Sequence, residues 1–135
     1  MLRSLVVDDD KLGRELIAQY LAGVAECDMA ENGLKCVEMF RDAFEGGNPY
    51  DLIILDIVMP EMDGYTAAKE IRLIEKEWGV SINDGVNIVV VSSLNTPDDV
   101  IQSYLSARSV AHLVKPLQPD KLLATLSKLG ILKQR

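Results

Sequence analysis

The sequence predicts an α/β fold, in which a doubly wound, five-stranded parallel sheet is covered by five helices. Five short apolar runs alternate along the chain with five amphipathic segments. Three of those runs are continuously apolar, as strands buried on both faces of a parallel sheet usually are. Strict alternation of strand and helix indicates crossover connections, which place helices on both faces of the sheet.

Each apolar run predicts one strand. The second run is the weakest pattern, and we expect its strand at or near an edge of the sheet. The three continuously apolar runs, LVV, LIIL and IVVV, belong to the first, third and fourth strands. The predicted strands are Leu2–Val7, Cys27–Ala30, Leu52–Leu55, Ile88–Val91 and His112–Val114.

Capping residues mark where two of the helices begin. Asn32 is the expected N-cap of a helix over Gly33–Phe44, which Gly46 then stops. Thr96 caps the fourth helix, and Pro97 stands in its first turn.

Apolar stripes at three- and four-residue spacing predict the other helices. A third helix is expected over Tyr65–Glu77, and Pro119 opens the fifth. The stripes comprise Leu12, Leu16, Ile17, Tyr20, Leu21 and Val24 in the first helix, Ala68, Ile71 and Ile74 in the third, and Leu122, Leu126 and Leu129 in the fifth.

Composition narrows the function classes. A chain of 135 residues is the size of one domain, and no apolar run approaches the ~20 residues that a membrane helix needs. The net charge is −7 without a basic cluster, which disfavours direct nucleic-acid binding. The N-terminus matches neither a signal nor a transit peptide, so we expect a cytoplasmic protein. Cys27 and Cys36 predict neither a disulfide nor a zinc site.

Polar residues follow four of the predicted strands. They are Asp8, Asp9 and Asp10 after the first, Asp56 after the third, Ser92 and Ser93 after the fourth, and Lys115 after the fifth. Ligand sites of such sheets lie outside the carboxyl ends of the strands, so these side chains are expected to converge. Clustered carboxylates repel unless a cation neutralises them, and oxygen ligands suit Mg²⁺.

A simpler interpretation is that these residues are helix caps and solvated charges. It explains Asp10 well but explains Asp56 poorly, because Asp56 directly follows a buried apolar run. Lys115 also follows an apolar run, and a lysine held there would pair with a carboxylate or a bound phosphate. We therefore expect Asp56 and Lys115 to belong to a functional site.

Four segments, LVVDDD, DLIILDIVMPEMDGY, VVVSS and HLVKP, occur in this order and resemble the signature segments of response-regulator receiver domains of the CheY-like superfamily. The similarity runs from about Leu2 to about Leu129. It implies the flavodoxin-like strand order 2-1-3-4-5. It also implies one receiver domain over residues 1–135, with no separate output domain.

The resemblance also implies residue roles. Asp56 is expected to be the phosphoacceptor, and Ser92 and Lys115 are expected to contact the phosphoryl group. Mg²⁺ would be held by Asp56 together with Asp9, by Asp8 largely through water, and by the backbone carbonyl of Val58. The Lys115–Pro116 bond would be cis.

In the family, such a domain is not an enzyme but a phosphoacceptor that assists its own phosphorylation and dephosphorylation. The expected donor is a histidine kinase or a histidine phosphotransfer protein, and a downstream protein partner would read the phosphorylated state. The protein would be a monomer or a phosphorylation-dependent dimer. The resemblance leaves open whether this is a stand-alone receiver or a fragment of a hybrid kinase.

This chain departs from the family pattern at several positions. His112 stands where the family usually has a switch tyrosine or phenylalanine, and it acts there either as a flat ring or as a pH-sensitive group. Arg108 and Ser109 replace a usual glycine near the end of the fourth helix. Val58 and Leu94 are apolar beside the site, which predicts a long-lived phosphoryl group.

Three rival classes remain open. Haloacid-dehalogenase-like phosphatases also combine an aspartate, a hydroxyl and a lysine, but the segment from Asp8 to Leu12 lacks the final threonine or valine of their motif. A flavodoxin-like cofactor binder would need a glycine-rich phosphate cradle after the first strand, and the turn that follows this strand lacks one. A receiver-like interaction module that never meets phosphate would not need the full set of acidic, hydroxyl and lysine residues.

Overall fold

The computed structural model describes residues 1–59, 62–93 and 96–132, with the side chain of Ser106 excepted. Within these ranges the strands are β1 (Leu2–Val7), β2 (Ala25–Ala30), β3 (Leu52–Leu55), β4 (Asn87–Ser92) and β5 (Ala111–Val114). The helices are α1 (Lys11–Tyr20), α2 (Gly33–Glu45), α3 (Gly64–Glu77), α4 (Pro97–Ala107) and α5 (Pro119–Lys128), with a 3-10 helix at Ile82–Asp84.

The five strands form one parallel sheet in the order β2-β1-β3-β4-β5, as predicted. Helices α1 and α5 pack on one face, where Ile17, Leu21, Leu122 and Leu126 are buried. Helices α2, α3 and α4 cover the other face. None of the described helices is long and apolar enough to cross a lipid bilayer.

The continuously apolar runs are buried on both faces, because alternate residues of each strand contribute to the two core clusters. The prediction that the second strand lies at an edge is confirmed, although β2 begins at Ala25, two residues earlier than expected. The capping predictions also hold. Asn32 accepts a hydrogen bond from the Lys35 amide at 2.7 Å, and Thr96 forms a capping box with Asp99.

Two parts of the predicted apolar stripes are wrong. Leu12 and Leu16 are 62% and 38% exposed, because only one side of α1 faces the sheet and Ile17 and Leu21 occupy it. Leu129 is 44% exposed, because α5 ends at Lys128 and Leu129 lies at its C-cap. Each stripe was extended beyond the residues that reach the core.

A buried polar network joins α3 to α4 and to the start of β4. The Arg72 guanidinium donates to the carbonyl oxygens of Ala107, Arg108 and Val86 at 3.1, 3.1 and 2.9 Å. The Glu75 carboxylate lies 2.8 Å from the same guanidinium and accepts from the Val86 amide at 2.6 Å. Each buried charge thus has a partner, and Arg72 satisfies carbonyls at the end of α4 that the helix leaves unpaired.

The end of α4 carries the one described non-glycine residue with a positive φ. Arg108 has φ 47° and ψ 44°, the left-handed conformation in which glycine usually ends a helix. This is the region where the resemblance to receiver domains led us to expect a glycine. A residue with a Cβ is strained there by about 1–2 kcal/mol.

We predict that Arg108→Gly raises the free energy of unfolding by about 0.5–1 kcal/mol. Relief of left-handed strain contributes about 1–2 kcal/mol, and the larger unfolded-state entropy of glycine offsets about 0.5–1 kcal/mol of it. Urea unfolding measures the change. Arg41→Gly, at an exposed helical position of α2, is the control and should destabilise by about 1 kcal/mol. Destabilisation of both variants would contradict the assignment of strain to Arg108.

Candidate functional site

Two buried aspartates lie at the carboxyl edge of the sheet. Asp8 follows β1 and Asp56 follows β3, and only 1% and 6% of these residues are exposed. Backbone hydrogen bonds continue the ladder past the strand ends. The Asp8 amide donates to the Ala30 carbonyl at 3.2 Å, and the Asp56 amide donates to the Val7 carbonyl at 2.9 Å. The sheet itself therefore sets the positions of both carboxylates.

Lys115 bridges the two carboxylates. Its Nζ lies 2.9 Å from Asp8 Oδ2 and 3.3 Å from Asp56 Oδ2. The Lys115 amide also donates to the Ser92 carbonyl at 3.0 Å, which anchors its backbone beside the end of β4. Lys115 precedes a cis bond to Pro116, as the resemblance implied. The prediction that Lys115 lies beside a carboxylate is confirmed, and the interpretation of a solvated surface lysine is wrong.

The charges of this cluster alter two pKa values. Burial raises the pKa of Asp56, and the nearby Asp8 charge adds to that effect, whereas the Lys115 charge opposes it without cancelling it. Burial alone would lower the pKa of Lys115. The hydrogen bond to Asp8 and the charges of Asp56 and Asp8 outweigh burial, so the pKa of Lys115 is raised. The ammonium therefore stays charged, as its role between two carboxylates requires.

The turn after β1 is stabilised by hydrogen bonds at Asp8 and Asp10. Asp8 Oδ1 accepts from the Asp10 amide at 2.9 Å, and the Asp8 carbonyl accepts from Arg14 Nη1 at 2.8 Å. The Asp10 side chain caps α1 by accepting from the Leu12 amide at 3.3 Å, which agrees with the capping interpretation of Asp10. The contact from Arg14 was not foreseen, although Arg14 lies one helical turn after Asp10.

The three aspartates suit a divalent cation. One carboxylate oxygen from each of Asp8, Asp9 and Asp56 can be chosen so that all lie within 4.8 Å of one another. Asp9 is exposed, so solvent can complete the coordination that Mg²⁺ prefers. The Val58 amide donates to Asp56 Oδ1 at 3.3 Å. Val58 itself is 57% exposed. A metal-binding role for its carbonyl stays a prediction.

The loop after Asp56 packs closely on its surroundings. The Gly64 amide donates to the Ile57 carbonyl at 2.9 Å, and a Cβ on Gly64 would collide with the Asp56 carbonyl oxygen. Gly33, at the start of α2, likewise has no room for a Cβ beside the Met62 backbone. The two glycines thus allow the loop to lie directly against the backbone of Asp56 and against α2.

The two predicted switch residues lie on β4 and β5. Ser92 is fully buried at the end of β4, and His112 is half-buried on β5. The register pairs Val90 with His112 and Ser92 with Val114, so Ser92 and His112 project from the same face of the sheet. Their part in switching stays a prediction. Leu94, which we expected beside the phosphoryl group, lies outside the described residues.

A parallel sheet with aspartates and a lysine at its carboxyl edge is the arrangement that the sequence resemblance led us to expect. The sequence model of one protein family, the response regulator receiver domain, matches residues 4–127 of this chain. The chain therefore belongs to the response-regulator receiver domain family of two-component signalling. Membership sets aside the phosphatase and the flavodoxin-like cofactor binder as alternatives.

Relatives of similar length support this assignment. A two-component response regulator of rice, ORR41, is 36% identical over 131 residues, covering 95% of this chain and 94% of its own. The chemotaxis protein CheY of Bacillus subtilis is 34% identical over 128 residues, covering 93% and 95%. The Saccharomyces cerevisiae co-crystal structure of the histidine phosphotransfer protein Ypd1 with the receiver domain of Ssk1 matches with a TM-score of 0.81, 25% identity, and coverage of 96% and 89%.

We predict that Asp56→Asn stabilises the fold at pH 7 in the presence of a chelator. Because the pKa of Asp56 is raised in the folded protein, its carboxylate form costs stability once the pH exceeds the ordinary aspartate pKa of about 3.9. The gain in the free energy of unfolding should be present at pH 7 and should vanish as the pH falls below about 3.9.

Denaturant unfolding at several pH values tests this expectation. Asp42→Asn, which removes an exposed carboxylate from α2, should change the free energy of unfolding by less than about 0.5 kcal/mol. An Asp56→Asn protein less stable than the parent protein at pH 7 would show that Asp56 has no unfavourable electrostatic environment.

Proposed function

We propose that this receiver domain accepts a phosphoryl group on Asp56 from a phosphohistidine and thereby changes its affinity for a partner. The observation that carries the proposal is the pairing of Asp56 with Lys115 in a nearly buried acidic pocket at the edge of the sheet. A fold-stabilising ion pair has no need of three neighbouring aspartates, whereas a phosphorylation site that binds a cation does.

In the transfer step, a carboxylate oxygen of Asp56 forms a bond to phosphorus while the bond from phosphorus to the histidine nitrogen breaks. The electron pair of that bond stays with the leaving imidazole, which takes up a proton. Lys115 Nζ lies 3.3 Å from Asp56 Oδ2 and can follow the developing charge on the phosphoryl oxygens.

Mg²⁺ would be held by Asp9 and Asp56 directly, by Asp8 largely through water, and by the Val58 carbonyl. When bound, it supplies positive charge that neutralises the phosphoryl oxygens. Asp8 already accepts hydrogen bonds from Lys115 and from the Asp10 amide, which supports its assignment to an indirect role.

The domain would act as a phosphoacceptor that assists its own phosphorylation and dephosphorylation rather than as a conventional enzyme. The partner proposed for the transfer is a histidine kinase or a histidine phosphotransfer protein. The similarity to the receiver domain solved with the phosphotransfer protein Ypd1 supports this choice. The new phosphoryl group adds negative charge and strong acceptors, so Ser92 would move to donate to it.

We predict that Asp56→Asn abolishes phosphorylation by acetyl phosphate in the presence of Mg²⁺, because an amide oxygen is too weak a nucleophile for the transfer. Intact-protein mass spectrometry measures the added phosphoryl mass. Asp42→Asn is the control and should be labelled to the same extent as the parent protein. Undiminished labelling of Asp56→Asn would refute the phosphoacceptor assignment.

We further predict that Lys115→Ala retains Mg²⁺ binding but does not switch. The three carboxylates of the metal site are retained and Mg²⁺ itself would offset their repulsion, whereas the cation that would follow the phosphoryl group is lost. Mg²⁺ titration by NMR measures binding, and the amide spectra with and without beryllofluoride, a phosphoryl analogue, report the switch. Lys11→Ala, at a lysine whose side chain is 80% exposed, should behave as the parent protein. A Lys115→Ala protein with the parent protein's spectral change would disprove the role of the lysine.

A further inference from the structure

Helix α4 is held against the domain by small side chains and polar contacts. Its buried residues include Ser103 and Ala107, whereas Ile101 and Leu105 are 54% and 76% exposed. Other helices bury large apolar side chains, such as Phe40 in α2 and Ile71 in α3. The small apolar contact area means that a few hydrogen bonds contribute a large part of what holds α4 in place.

Three groups of hydrogen bonds hold α4 along its length. The Tyr65 hydroxyl donates to the Asp99 carbonyl oxygen at 3.1 Å in the first turn. The hydroxyls of Ser103 and Ser109 lie 2.8 Å apart near the C-terminal end. Arg72 binds the carbonyls at that same end. Among these contacts, that of Tyr65 lies at the end of α4 that follows the strand carrying Ser92.

Tyr65 is also attached to the phosphoacceptor loop. It directly follows Gly64, which lies so close to the Asp56 carbonyl that there is no room for a Cβ. The Gly64 amide donates a hydrogen bond to the Ile57 carbonyl. The backbone position of Tyr65 is therefore closely coupled to that of Asp56. Burial, together with the charges of Asp99 and Asp63, raises the pKa of Tyr65, so its phenol remains a donor at neutral pH.

The two partners of this bond are tied to different parts of the site. Tyr65 follows Gly64, which packs against the Asp56 backbone, whereas Asp99 lies in a helix that begins at Pro97, five residues after Ser92. If Ser92 moves toward a phosphoryl group on Asp56, we expect the first turn of α4, which follows Ser92 closely in the chain, to change position as well. The backbone of Tyr65 does not follow, because the preceding residue, Gly64, packs against the backbone of Asp56 and Ile57.

We propose that Tyr65 is a positioning residue, whose hydroxyl holds the first turn of α4 in the arrangement seen here and releases it when Asp56 is phosphorylated. The proposal rests on the proposed function, and it adds to it a bond between the segment after Asp56 and α4 that the movement following phosphorylation must break. It makes the bond from Tyr65 to Asp99 a determinant of how much of the protein is active before any phosphoryl group arrives.

Tyr65→Phe tests the proposal, because it removes only the hydroxyl. The amide resonances of Ser103 and Ala107 are recorded in the parent protein and in the variant, each without and with Mg²⁺ and beryllofluoride. Without the analogue, the variant's resonances should lie partway along the line from the free to the activated positions. Loss of one hydrogen bond should raise the equilibrium constant for activation about threefold to tenfold.

Tyr104→Phe is the matched control, because Tyr104 is 46% exposed on the same helix. Its resonances should stay at the free positions without beryllofluoride. Labelling by acetyl phosphate provides a second readout: Tyr65→Phe should react faster than the parent protein, and Tyr104→Phe should react at the parent protein's rate. A purely stabilising role of Tyr65 would lower the free energy of unfolding without moving the resonances along that line or changing the rate of labelling.

The outcomes separate the two proposals. If the parent protein responds to beryllofluoride and Tyr65→Phe has the same free and activated positions as the parent protein, the role of Tyr65 is wrong and the phosphoacceptor function stands. A Tyr65→Phe protein that activates less readily than the parent protein also overturns the proposal, because the bond would then favour the active arrangement. If the parent protein itself does not respond, both proposals fail.

Discussion

The ion pair of Lys115 with Asp8 and Asp56 is the interaction on which the rest of the site depends. Two carboxylates that are only 1% and 6% exposed would repel strongly without a cation between them. Lys115 lies 107 residues from Asp8 and 59 residues from Asp56 along the chain, so the pair also joins the ends of three strands. A chemical group that competes with Lys115 for these carboxylate oxygens therefore changes how the ends of the three strands are held together.

The opposite end of the domain is built differently. Arg72 and Glu75 form a satisfied buried network that fixes the C-terminal end of α4, even though Arg108 is strained there. Among the described residues, one side-chain hydrogen bond joins the first turn of α4 to the neighbouring helix, the bond from the Tyr65 hydroxyl. A helix fixed by several hydrogen bonds at its C-terminal end and by one bond to α3 at its first turn is suited to pivot about the C-terminal end.

The sequence pattern was sufficient to predict the convergence of Asp8, Asp56 and Lys115, because strand ends in a parallel sheet meet at one edge. The sheet order followed only from the resemblance to receiver domains. It overestimated the apolar stripes of α1 and α5, since periodicity does not reveal where a helix leaves the core. The contacts of Arg72 and Tyr65 were missed. The contacts that these two side chains make with α4 and its C-cap join residues 34 to 36 positions apart, and nothing local in the sequence pairs them.

The central claim is that Asp56 is the residue that becomes phosphorylated, and locating the modified residue tests it most directly. The protein is treated with acetyl phosphate and Mg²⁺, reduced with borohydride to convert an aspartyl phosphate into homoserine, and digested for peptide mass spectrometry. The account predicts homoserine at position 56. Homoserine at position 8 or 9 instead, or at no aspartate, would contradict it.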